Sequence, residues 1–170
     1  TIADIGIIGL PNAGKSSLLA ALTNANPKIA NYKFTTINPN LGVASYDDKE
    51  ITIADIPGLV EGAHEGVGLG TQFLKHIERC KSLLHLIDIT NLDLKESYDQ
   101  VKNELKNYSS KMLDKKELIV FNKIDLIDED TAKDVIDDFS KDKNCEIMTM
   151  TTLNKESVSK IKAKLLSYVS

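Results

Sequence analysis

The sequence predicts an α/β domain with a six-stranded, mostly parallel sheet, one antiparallel edge strand and helices on both faces. Three observations carry this. Apolar runs rich in branched residues alternate with segments of helical period, the pattern of βαβ units. A glycine-containing loop, GLPNAGKSS, joins the first run to the first helical segment. The second and third runs are separated only by Asp47, Asp48 and Lys49, enough for a hairpin but too short for a parallel crossover.

In chain order the strands are expected at Ile2 to Ile8, Leu41 to Tyr46, Ile51 to Ile56, Leu83 to Ile89, Glu117 to Asn122 and Glu146 to Met150. Helical spacing shows at Leu18, Leu19, Leu22; at Phe73, Leu74, Ile77; at Tyr98, Val101, Leu105, Tyr108; at Val135, Ile136, Phe139; and at Val158, Ile161, Leu165, Tyr168. These stripes read as core faces. Two segments without period, Asn24 to Asn40 and the glycine-rich Pro57 to Gly70, touch strand ends, where ligand-sensing loops of α/β domains sit.

With 170 residues and 42% hydrophobic content the chain suits one core, and residues 1–170 read as one domain. It opens without Met, directly at a strand, which suggests a domain cut from a longer protein. No apolar run approaches the roughly 20 residues that span a bilayer, so no transmembrane segment is expected. Cys80 and Cys145 form no CxxC pair, which fits reduced thiols in the cytoplasm better than a disulfide frame or zinc site. A net charge of −4 argues against gripping nucleic acid unaided. The acid-rich DEDTAKDVIDDFSKDK reads as a solvated helix face.

The chemistry concentrates in a few stretches. In GLPNAGKS, which matches G-x-x-x-x-G-K-[ST], glycines turn successive N–H groups toward phosphate and the following helix adds its positive end. Lys15 would neutralise the β- and γ-phosphates and the Ser16 hydroxyl would ligate Mg²⁺. Kinases, ATPases and GTPases all use such a loop. The base is chosen by VFNKIDL. A carboxylate at Asp125 accepts from guanine N1–H and the exocyclic amine, where adenine would leave it unpaired, a mismatch that discriminates by roughly 10⁴. Asn122 would bridge the base edge to the phosphate loop, and the Lys123 stem would lie over the ring. In ITIADIPG, Asp55 is placed to hold Mg²⁺ through water and the Gly58 N–H to bond the γ-phosphate. A hydroxyl of either Thr35 or Thr36 could complete the Mg²⁺ shell with GTP and release it after hydrolysis.

These residues resemble the catalytic domain of Obg-type GTPases, within the larger Ras-like class of P-loop GTPases. The resemblance covers nearly the whole chain and is closest in GLPNAGKSS, NYKFTTINPNLGV and DIPGLVEGAHEGVGLGTQFLKHIERCKSLLHLID. It implies that nucleotide is lined by Gly9, Leu10, Pro11, Asn12, Ala13, Gly14, Lys15, Ser16 and Ser17; by Phe34, Thr35 and Thr36; by Asp55, Ile56, Pro57 and Gly58; by Asn122, Lys123, Ile124 and Asp125; and by Thr151, Thr152 and Leu153. It makes Thr36 the Mg²⁺-linked threonine and, with Lys15 and Gly58, part of the catalytic set. Family members typically carry a glycine-rich domain ahead of this one and act in assembly of the large ribosomal subunit. The isolated domain is expected as a monomer. Where the family usually has Ser-Ala, this chain has Thr151 and Thr152; the contact to guanine O6 is then the backbone N–H of Thr152.

Many Ras-like enzymes orient the attacking water with a glutamine after DxxG. Here that position is Leu59, and slow turnover follows unless another group supplies the charge. Asn12 resembles an asparagine that holds K⁺ in related GTPases; the alternative is an asparagine that only steadies the loop turn. His64 reads as a solvated loop residue, His85 as core, and His76 has no assigned role. Two function classes stand: a Mg²⁺-dependent GTPase working as a switch in ribosome assembly, and a GTP/GDP-gated binding module in stress or cell-cycle control whose hydrolysis is only a timer. A nucleotide kinase is disfavoured by NKID and by Arg79 being the only arginine, too few for a lid.

Overall fold

The computed structural model describes residues 3–23, 28–29, 40–56 and 78–169. The strands are β1 (Ile5–Gly9), β2 (Lys28–Ile29), β3 (Asn40–Tyr46), β4 (Lys49–Asp55), β5 (Ser82–Asp88), β6 (Lys116–Asn122) and β7 (Glu146–Thr149). Among the described residues the helices are α1 (Lys15–Leu22), α2 (Leu94–Tyr108), α3 (Glu129–Ser140) and α4 (Lys155–Val169). The sheet order is β2-β3-β4-β1-β5-β6-β7. Every pair from β4 through β7 is parallel, while β2/β3 and β3/β4 are antiparallel.

All six expected strands are present, and β1, β5 and β6, covered on both faces, read as continuous apolar runs. Ile5, Ile7, Leu84, Leu86, Leu118 and Val120 turn to one face and pack with Leu18, Leu19 and Leu22 of α1 and Val158, Ile161 and Leu165 of α4. On the other face, Ile8 and Leu83 meet Val101 and Leu105 of α2, while Ile119 and Phe121 meet Ala132 and Phe139 of α3. The period of two sorts each strand's side chains, and each helical stripe closes one side. The expected stripe Phe73, Leu74, Ile77 lies outside the described residues, as does most of Asn24 to Asn40 and all of Pro57 to Gly70.

Two details differ from the expectation. The two-residue β2 pairs Lys28 with Leu41 and Ile29 with Asn40, so it makes a seventh strand and takes the edge beside β3; two residues carry no period to read. The β3–β4 turn is tighter than three residues: Tyr46 pairs with Lys49 across Asp47 (φ 51°) and Asp48 (φ 62°). Positive φ at both central positions defines a type I′ turn, whose second position favours Gly. Asp48→Gly is therefore expected to raise unfolding stability by about 0.5 to 1 kcal/mol in denaturant titration; an unmoved midpoint would count against a strained turn.

Helix starts follow their caps. Asp93 accepts from the Glu96 N–H at 3.0 Å, Asp128 from the Thr131 N–H at 3.1 Å, and Asn154 from Glu156 and Ser157 at 2.9 and 3.1 Å. The acids of α3 are exposed, as a solvated face requires.

His85 is wholly buried in β5, as expected of a core residue, and its surroundings are polar. Its Nδ1 lies 3.1 Å from Glu117 Oε2, its ring stacks on Tyr98 at 4.9 Å, the Tyr98 hydroxyl donates to Glu117 Oε1 at 2.9 Å, and Lys102 Nζ is 3.4 Å from Oε2. Nδ1–H donates to the carboxylate, and Nε2 is buried with no partner among the described residues. Burial holds the His85 pKa below its ordinary 6.5 although Glu117 pulls the other way. A depressed histidine pKa means that the unfolded chain binds the proton first, so stability is full above about 6.5 and falls as pH drops below it. The denaturant midpoint should decline from pH 7 to about 5.5, and the decline should flatten in His85→Gln. Parallel pH dependence in the two proteins would contradict a neutral buried ring.

Candidate nucleotide site

The parallel strands β1, β4, β5 and β6 end at Gly9, Asp55, Asp88 and Asn122, so four polar or glycine positions share one edge of the sheet. Beyond β1 the chain makes a short 3₁₀ turn, Pro11–Ala13, closed by the Ala13 N–H donating to Leu10 O at 3.0 Å, and then enters α1 through Gly14. Two glycines are needed sterically. A Cβ on Gly9 would sit 2.6 Å from Leu86 O, and Gly14 has φ 94° with its Cβ position 2.9 Å from Asn122 Nδ2. No side chain caps the start of α1 and no acid lies in its first turn, which leaves its N–H groups and dipole for an anion.

Lys15 and Ser16 turn from that helix start toward Asp55. Lys15 Nζ donates to Ile56 O at 3.0 Å and lies 3.3 Å from Asp55 Oδ1; the Ser16 hydroxyl donates to Asp55 Oδ2 at 3.2 Å. Asp55 is buried, and its Oδ1 accepts no aligned hydrogen bond among the described residues. One carboxylate beside one hydroxyl suits Mg²⁺, which keeps several waters and takes phosphate oxygens rather than an all-protein cage.

The NKID turn is tied to the same loop. Buried Asn122 donates through Nδ2 to Ala13 O at 3.0 Å and accepts from the Lys123 N–H at 2.8 Å. Lys123, at φ 64°, sends its ammonium to Asn12 O at 3.2 Å and to Asp88 Oδ2 at 2.8 Å. Asp125 is exposed in the short turn Ile124–Leu126. The Ile124 N–H donates to Met150 O at 3.2 Å, bringing in the loop after β7. There Thr151 N–H donates to Ser157 Oγ at 3.1 Å and Thr151 Oγ1 accepts from Leu153 N–H at 3.3 Å, while Thr152 and Leu153 are exposed. Asn12 donates to Asn91 Oδ1 at 3.4 Å, and Asn91 in turn donates to Ser97 Oγ at 3.1 Å.

Gly9 to Ser17, Asp55, Ile56, Asn122 to Asp125 and Thr151 to Leu153 thus gather at or beside this edge. The expected Phe34, Thr35, Thr36, Pro57, Gly58 and Leu59, with His64 and His76, lie outside the described residues. Sequence reasoning did not single out Asp88 or Asn91. The sequence shows only that an acid ends the apolar run LLHLID; its pairing in register with Asn122 comes from the fold.

Fold and site define a P-loop nucleotide-binding α/β domain of Ras-like topology. The model of the 50S ribosome-binding GTPase family matches residues 4–123. GTPase Obg of Pelagibacter ubique is 72% identical over all of this chain, which covers 52% of that protein. GTPase Obg of Rickettsia felis is 49% identical over 94% of the chain and 48% of its own length. The G domain of the T. maritima FeoB iron transporter, 20% identical, superposes over 98% of both chains with a TM-score of 0.68, a likeness of fold. The chain belongs to the 50S ribosome-binding GTPase family, and the resemblance to Obg-type GTPases is borne out. It spans about half the length of these curated relatives.

Proposed function

We propose that this chain is the GTP-binding domain of a Mg²⁺-dependent GTPase that hydrolyses GTP slowly and acts as a switch in assembly of the large ribosomal subunit. The observation that carries the reading is the joint closure of Asn122 and Lys123 onto the phosphate-loop carbonyls of Ala13 and Asn12. A base read by Asp125 and phosphates held at Gly14 to Ser16 then belong to one ligand, GTP or GDP. The family's 50S ribosome-binding description supports the large-subunit partner.

Ser16 and Asp55, with Thr36 by resemblance, would hold Mg²⁺; when bound it offsets charge on the β- and γ-phosphates. Lys15 would add its ammonium to the same oxygens, and from its place in DIPG the Gly58 N–H would support the γ-phosphate. Water adds to the γ-phosphorus, the bond to the β,γ-bridging oxygen breaks, and GDP and phosphate leave. Leu59 offers no hydrogen bond to the water, so the step is slow. Asn12 donates through Nδ2 to Asn91 and keeps its Oδ1, the atom that would ligate a cation, out of that bond; faster hydrolysis in K⁺ than in Na⁺ would make Asn12 an ion ligand, and equal rates would leave it a residue that steadies the loop. Both cysteines are free, as a cytoplasmic, reducing setting favours. Among the described residues no helix is long and apolar enough to cross a membrane, and we take the domain as a monomer.

Ser16→Ala tests the reading. GTP affinity measured across a Mg²⁺ titration should lose most of its Mg²⁺ dependence in the variant; overlaid titrations of the two proteins would remove Ser16 as a ligand.

A further inference from the structure

We infer that Asp88 is a positioning residue for guanine nucleotide, acting through Lys123. This rests on the reading of NKID as the base site. Asp88 ends β5 directly beside Asn122, and Ile89 N–H donates to Asn122 O at 3.1 Å, so the carboxylate stands next to the start of the base loop. It is 4% exposed, and both oxygens are engaged. Oδ1 accepts from the Thr90 N–H at 2.8 Å and hydroxyl at 2.6 Å, which sets its orientation, and Oδ2 takes the Lys123 ammonium at 2.8 Å. Burial works against the charge, and the Lys123 and Thr90 donors more than offset it, so the carboxyl stays below the usual range and ionised.

Lys123 is therefore held at its far end between Asp88 and Asn12 O, while its backbone leaves β6 in the left-handed region. A four-carbon stem tied at both ends has little rotamer freedom left to lose when a base packs on it. Without Asp88 the ammonium keeps only a carbonyl partner and the stem regains that freedom. The platform, not the hydrogen-bonding edge, is what Asp88 controls. Its loss should weaken all purine nucleotides held in this site alike, whereas Asp125 decides between them.

The test is a double-mutant cycle on release of a fluorescent GDP analogue from the chain, with Asp88→Asn, Lys123→Met and the double variant. Each single change should speed release about tenfold, and the double should be no faster than Lys123→Met. Accelerations that multiply would overturn the inference, because a purely structural Asp88 would act in both backgrounds. If Asp88→Asn does not fold, Thr90→Val in its place loosens the same carboxylate; acceleration in the parent but none in Lys123→Met supports the role, and any other pattern removes it. Failure of the base reading is separately visible, since the unmutated chain would then hold ADP as tightly as GDP.

Discussion

Lys15→Met is expected to slow single-turnover GTP hydrolysis by about 100- to 1,000-fold at saturating GTP, the cost of removing one preorganised charge from the reacting phosphates. The side chain starts in the first turn of α1, where the helix dipole already favours an anion, and its ammonium reaches Asp55 Oδ1 and Ile56 O at 3.3 and 3.0 Å. Methionine keeps the stem and deletes the charge. The same change leaves the buried Asp55 with only the Ser16 hydroxyl among these contacts, so some loss of unfolding stability should accompany it. A single-turnover rate within about threefold of the parent would place Lys15 outside the phosphate site.

Asp125→Asn should exchange base preference with little effect on the fold. GTP affinity is expected to fall by a factor on the order of 10³ to 10⁴ while xanthine nucleotide gains, because a carboxamide donates where xanthine offers its 2-oxo group. Among the described residues the Asp125 carboxylate makes no hydrogen bond or ion pair, and the residue is exposed, so stability should stay within about 0.5 kcal/mol. Competition titrations of GTP against XTP read the exchange, and unchanged GTP preference would refute the base assignment.

Most of the sheet was legible because its strands are covered on both faces and the helices on one, two periods that sequence displays directly. Lys28–Ile29 was not, since two residues show no alternation and their pairing with β3 is purely tertiary. His85 could be read as core from its neighbours in LLHLID, yet its Glu117 and Tyr98 partners lie 32 and 13 positions away and meet it only through the β5–β6 pairing and the packing of α2. At the site, the phosphate loop and NKID were legible as short contiguous patterns placed after strands, although the contacts that fix Gly9 and Asn122, to Leu86 O and Ala13 O, are long-range. Asp88 belongs to neither stretch; its role appears only when register sets it beside Asn122 and Lys123 reaches across. Asn12 supported two readings in sequence, and its Nδ2 contact to Asn91 Oδ1 is compatible with both.

The central claim is that one ligand joins the phosphate loop to the NKID turn and that its base is guanine. Calorimetric titration of the unmutated chain with GDP and with ADP, both with Mg²⁺, tests it most directly. The account predicts that GDP binds at least about 10⁴-fold more tightly; equal affinities would contradict it.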